Sequence, residues 1–134
     1  MLYLTAEDVL HVAARAIGDV QVRDAGMIEA AVARPQAIVG GVPAYPDLTT
    51  KAAALTHSLV CNHGLVDGNK RLGLACLIVF LGINGCRLTL SNDEAYDLIY
   101  GIASGELREL DQIARRIDAG STYLDAGSSS ESSS

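Results

Sequence analysis

Residues 61–74 read CNHGLVDGNKRLGL, and they run without a break into Leu72–Ile83, twelve residues that are all apolar or glycine. Polar and charged side chains, among them His63, Asp67, Asn69, Lys70 and Arg71, crowd around Gly68 at the entrance to a segment that avoids water. Asn69 to about Ile83 is predicted as a helix apolar on all sides, hence a buried central helix. At twelve residues the apolar run falls short of the about twenty that a membrane-spanning helix needs. Asn84 and Gly85 end it.

The elements on either side follow from periodicity and capping. Ala6, Val9, Leu10, Ala13, Ala16 and Ile17 recur at helical spacing behind Thr5 and Asp8, a capping pair, with Gly18 as the stop. A second helix starts after Asp24 and runs toward Arg34, where Pro35 disfavours helical backbone in the residue before it. IVGGVPAYP, residues 38–46, is too rich in glycine and proline for a helix and reads as a loop or short irregular hairpin. Its stretch from Ile38 to Tyr45 is a candidate for positioning a protein target. Asp47 caps a third helix with Leu48, Ala52, Leu55 and Leu59 on one face. CRLTL, residues 86–90, reads as a short strand, Ser91 and Glu94 form a capping box for a fifth helix, and Leu107, Leu110, Ile113, Ala114 and Ile117 mark a sixth.

The chain of 134 residues suits one domain, expected over 1–120, followed by a flexible Ser-rich tail over 121–134 whose composition cannot offset its ordering entropy. An interior with one Phe and no Trp must be assembled from aliphatic side chains, which favours an all-α fold. A net charge of -6 and a pI near 4.8 argue against a phosphate-backbone binder, so no direct nucleic-acid contact is expected, and no membrane contact. The start, MLYLTAEDVL, lacks a basic leader, which predicts a cytoplasmic protein. Cys61, Cys76 and Cys86 have no metal-binding spacing and are expected as reduced, mostly buried thiols.

The chemistry then follows from the helix start. Its unpaired N–H groups and partial positive charge suit an anion, and a glycine turn lets them converge on it. Lys70 and Arg71 add full charges, with Gly68 and Asn69 contributing donors. Two cations at the positive end of a helix are misplaced unless an anion joins them. Asp67 would repel that anion unless a hard cation such as Mg²⁺ lay between. His63 has the proton affinity to accept a proton from an attacking hydroxyl. Each feature also has a plainer reading: His63 as a cap, Asp67-Gly68 as an ordinary turn, and Lys70-Arg71 as a solvated pair. No Walker A, GxGxxG or kinase HRD/DFG motif is present, and His11 and His57 are expected to be structural or exposed.

HGLVDGNKR, residues 63–71, resembles the signature of the Fic/Doc family, roughly HxFx[D/N][G/A]N followed by GR in the Fic branch and KR in the Doc branch. Lys70 places the resemblance with Doc. VRDAGMIEAAVARPQA, AYPDLTTKAAALTHSLVCNHG, FLGINGCRL and GIASGEL extend it over most of residues 3–118. The resemblance implies a helical bundle around the central helix, with at most one short strand or hairpin. It implies His63 as general base, Asp67 as the Mg²⁺ ligand, and Asn69, Lys70 and Arg71 on the phosphates of ATP. It further implies a toxin that moves the terminal phosphate of ATP to a hydroxyl of a translation elongation factor and is neutralised by a cognate antitoxin; the net negative charge of the chain predicts that this antitoxin is held more by apolar contact than by charge. AMP transfer of the Fic type and a catalytically silent partner-binding module are the alternatives. The chain departs from the pattern at Leu65, where an aromatic residue is usual, and at Cys61, where many relatives carry arginine.

Overall fold

The computed structural model of the chain describes residues 1–124; the remainder of the expected tail, 125–134, lies outside the described residues. Among the described residues six helices carry the fold: α1 Ala6–Ala16, α2 Ala25–Ala33, α3 Leu48–Cys61, α4 Asn69–Ile83, α5 Asn92–Ser104 and α6 Leu110–Ala119. The expected local signals set most of their starts. Thr5 Oγ1 accepts from the Asp8 N–H at 3.1 Å while Asp8 returns the bond to Thr5. Ser91 and Glu94 do the same for α5. Asp47 opens α3 by accepting from the N–H and hydroxyl of Thr50, and the Thr50 bonds hold its carboxyl below the ordinary range.

Arg34 does not break the second helix. It keeps helical backbone and begins a 3-10 turn, Arg34–Gln36, in which Pro35 needs no N–H partner. Helix α6 starts three residues later than Leu107, whose N–H donates to the Gly101 carbonyl at 2.9 Å and so belongs to the turn after α5.

The centre of the bundle is a pair of helices. α4 buries Leu72, Cys76, Leu77, Phe80 and Leu81, but Ile78 is 48% exposed, so it is not enclosed on every side as predicted. α3 is enclosed more fully, with Ala52, Ala53, Ala54, Thr56 and Ser58 all buried beside Leu55, Leu59 and Val60. Its small side chains let α2, α4, α5 and α6 approach from several directions. Gly73 sits at the α3–α4 crossing, where a Cβ would collide with Val60. Lys51 is buried in the same helix, donating to the Pro35 carbonyl at 3.2 Å with its ammonium over the Tyr3 ring.

Two short antiparallel strand pairs complete the fold among the described residues, where at most one was expected. Strands β1 (Ile38–Val39) and β2 (Val42–Pro43) form a hairpin around Gly40 and Gly41, both at positive φ as a tight hairpin turn requires, and expose Ile38, Val39 and Val42. Strand β3 (Cys86–Leu88) pairs with β4 (Ser121–Tyr123), so the tail cannot begin at 121. The pairing continues as the Leu124 N–H donates to the Gly85 carbonyl at 2.7 Å. Among the described residues no helix is long and apolar enough to cross a membrane. The three cysteines are free thiols, Cys76 and Cys86 buried and Cys61 half-buried; burial pushes the Cys76 thiol up to about 12.

Candidate functional site

Helix α4 opens on Gly68, whose φ of 90° favours glycine and which supplies no side-chain cap to the first turn. A Cβ at Gly68 would also stand 2.8 Å from Ile17 Cδ1, so the Ile17 side chain packs close over this turn. Asp67 spends one carboxylate oxygen, Oδ1, on the Gly68 N–H at 2.9 Å. Lys70 and Arg71 follow, both exposed.

The loop that carries His63 into this turn is held from outside. His63 has φ 54°, left-handed backbone that costs a non-glycine residue roughly 1–2 kcal/mol. Arg23 secures it, donating from Nε to the His63 carbonyl at 2.6 Å and from Nη2 to the Asn62 carbonyl at 3.1 Å. The neighbouring backbone adds a short strand-like contact. The N–H groups of Arg23 and Asp24 donate to the Gly64 carbonyl, Val22 bridges Leu65, and Val66 donates to the Gln21 carbonyl at 2.9 Å. Leu65 is fully buried, so it anchors the loop in the core without an aromatic ring.

Asn69 lines the cleft and also braces the loop. Its side chain is buried, with Oδ1 accepting from the Leu65 N–H and Nδ2 donating to the Leu65 carbonyl, each at 3.0 Å. The amide thus ties the loop to the first residue of α4. Cys61 is half-buried against α5, its thiol 3.6 Å from the Ile102 carbonyl; burial raises its pKa, against a smaller lowering by Arg34.

His63, Asp67, Gly68, Asn69, Lys70 and Arg71 line one cleft of about 790 Å³, within the usual size range of small-molecule sites. Helix α5 supplies another part of its lining, including Tyr96 and Tyr100. Among the described residues no group of three or more His, Cys, Asp or Glu could hold a metal ion. The donor set suits a cation of the Mg²⁺ type held by Asp67 and phosphate oxygens, not a cage made by the protein alone.

His57 lies outside this cleft's polar set. Arg34 binds its Nδ1 at 3.2 Å and the Ser58 hydroxyl at 2.9 Å, while reaching the Tyr45 hydroxyl at 3.2 Å. Burial, then the Arg34 charge, lowers the His57 pKa, which fits the structural role expected of it. His11 is exposed on α1. Arg23 is the residue that sequence reasoning missed, and its place inside the VRDAG stretch gave no sign of contact with a loop forty residues away.

Comparison with known proteins bears on this geometry. The chain matches the model of the Fic/DOC family over residues 3–81. It is 50% identical over 118 residues to a protein of Mycolicibacterium smegmatis named toxin Doc, the alignment covering 86% of this chain and 90% of the relative.

Proposed function

The chain belongs to the Fic/DOC family, and from that premise we propose that it is the toxin of a toxin–antitoxin pair, acting as a Doc-type phosphotransferase. Its donor would be ATP and its acceptor a hydroxyl on a protein, a translation elongation factor by resemblance to Doc. A cognate antitoxin is the implied partner and the cytoplasm the implied place of action. The observation that carries this reading is that His63, Asp67, Lys70 and Arg71 share one cleft at the uncapped start of α4.

In this reading the His63 imidazole accepts the proton of the acceptor hydroxyl as its oxygen attacks the γ-phosphorus. A new P–O bond forms, the bond from the γ-phosphorus to the β–γ bridging oxygen breaks, and ADP leaves with that electron pair. The first-turn N–H groups of α4, fixed by the helix, stabilise the charge on the phosphoryl oxygens, and Lys70 and Arg71 add full positive charge. Asp67 would hold Mg²⁺, which would supply positive charge to the phosphates. Lys70 stands where the Fic branch has a second glycine. A long cationic side chain there favours charge on the terminal phosphate over the open backbone cradle associated with AMP transfer.

The test is label transfer. The purified protein is incubated with cell lysate and either γ-labelled or α-labelled ATP. Label entering one protein band from the γ position alone is the expected result. Label from the α position alone would instead establish AMP transfer, and nucleotide binding without label from either would favour the silent module.

A further inference from the structure

The β1–β2 hairpin turns Ile38, Val39 and Val42 into water, so apolar burial does little to hold it on the bundle. Below the strands its legs are joined by the Ala44 N–H, which donates to the Ala37 carbonyl at 2.9 Å. Tyr45 is the first residue after them that is half-buried, and it lies against Arg34. Arg34 Nε donates to the Tyr45 hydroxyl at 3.2 Å, and the guanidinium carbon stands 5.8 Å from the ring centroid. The same guanidinium is fixed to α3 through Nη1, which meets Ser58 Oγ at 2.9 Å, His57 Nδ1 at 3.2 Å and the Ala54 carbonyl at 3.5 Å. Arg34 thus joins the base of the hairpin to the bundle.

An arginine only donates, so His57 Nδ1 is the acceptor and the proton of the neutral ring sits on Nε2. A proton added at Nδ1 removes that acceptor and sets a second cation against the first. The surroundings do not offset this. Arg34, from the 3-10 turn, is the charged group facing the imidazole; Tyr45, from the segment before α3, touches Arg34; and Cys61, one turn further along α3, feels the same arginine charge. Among the described residues α2, α4, α5 and α6 set no charged group against the ring. The 3-10 turn itself has a separate tie to α3, the bond from Lys51 Nζ to the Pro35 carbonyl at 3.2 Å. Opening the arginine–histidine contact therefore frees Tyr45 and the hairpin and leaves that turn in place.

We propose that Arg34 and neutral His57 form an acid-released clamp that holds the base of the β1–β2 hairpin on α3. Burial and then the Arg34 charge lower the His57 pKa from its ordinary 6.5, so the contact is complete above 6.5 and is lost as pH falls from there through the lowered value. The clamp does not depend on nucleotide chemistry. Where the proposed phosphotransfer holds, the hairpin's candidate role in positioning a protein target makes acceptor engagement, and not ATP binding, the acid-sensitive step.

Amide hydrogen exchange of the full chain, read by NMR at about pH 7.5 and about pH 5 and referred to the intrinsic rate at each pH, tests the clamp. Acid is expected to cost Ala44 about ten- to a hundredfold in protection, the worth of one charge-assisted hydrogen bond, while α3 amides from Ala52 to Leu59 keep theirs. His57→Gln supplies a neutral acceptor that does not titrate and should keep Ala44 protected at both values. Arg34→Gln should leave Ala44 unprotected at both; if that variant does not fold, the parent and His57→Gln still decide. Ala44 protection unmoved by acid in the parent, or falling as far in His57→Gln, overturns the clamp. So does a loss shared by the α3 amides, or a nitrogen-15 spectrum placing the neutral ring's proton on Nδ1. Label transfer from γ-labelled ATP into the lysate band should fall more steeply with acid in the parent than in His57→Gln, with calorimetric Mg-ATP affinity following one course in both. Parallel falls in label would overturn the link to acceptor binding, leaving the clamp to the exchange data.

Discussion

The two ends of α4 use the same device for different purposes. At the start, Asn69 brackets one residue, Leu65, accepting from its N–H and donating to its carbonyl, both at 3.0 Å. At the finish, Asn84 brackets Leu2 in the same way, at 2.8 Å and 2.9 Å, and adds a bond to the Phe80 carbonyl. The first bracket is buried and ties down a loop four residues away; the second is at the surface and ties down the chain's beginning, 82 residues away. The start of α4 also carries a left-handed histidine and two exposed cations, whereas the finish carries no charge until Arg87. One end carries strain and charge, and the other closes the fold.

The largest expected effects lie at the strained end. His63→Ala should reduce phosphotransfer by about 10²–10⁴-fold if the imidazole takes the acceptor's proton. His63→Gly should be equally inactive yet more stable than His63→Ala, because glycine adopts φ 54° without the steric penalty. Equal melting temperatures for these two variants would show that the backbone relaxes and that no strain is held there. Arg23→Ala should lower turnover by about ten- to a hundredfold while sparing ATP affinity, since it releases the His63 and Asn62 carbonyls without touching the cations. Arg23→Lys should recover part of that turnover by restoring one bond. A loss of ATP affinity as large as the loss of turnover would deny Arg23 its positioning role.

Replacing the two asparagines compares the brackets directly. Asn69→Ala leaves the buried Leu65 N–H and carbonyl without these partners and should cost about 1–3 kcal/mol of stability, together with activity. Asn84→Ala frees groups that water can reach, so the loss should be about 1 kcal/mol or less, with activity per folded molecule unchanged. Denaturant unfolding and label transfer on the same samples check both. If Asn84→Ala reduced activity as much as Asn69→Ala, the division between a working end and a closing end would fail.

Legibility in the sequence followed the range of the interaction. Capping at Thr5, Asp47 and Ser91 could be read because each partner lies three residues away. His63, Asp67, Lys70 and Arg71 could be grouped because a single loop and helix start bring them together. The fuller enclosure of α3 was not legible, because Lys51, Thr56 and Ser58 look like a solvated face until their neighbours are known. The β3–β4 pairing joins residues about 35 apart through strands too short for an alternating pattern to register. Arg23 was invisible for a related reason: its acceptors are backbone carbonyls, which have no signature in the sequence. The Leu65 bracket of Asn69 was not legible because an amide at a helix start can serve a ligand, its own loop or both.

The smallest expected effect bears on charge at the start of α4. Lys70 and Arg71 lie in its first turn, where a cation opposes the helix dipole by about 0.3–1 kcal/mol at low salt. Lys70→Gln with Arg71→Gln should therefore raise the melting temperature slightly in the absence of nucleotide while abolishing phosphate binding. The rise should fade as salt screens the interaction, since both side chains are exposed. ATP should reverse the order by stabilising the parent and leaving the variant unmoved. A parent already more stable than the variant without ligand would mean that protein groups satisfy these cations, and the helix start would then be as closed as its finish.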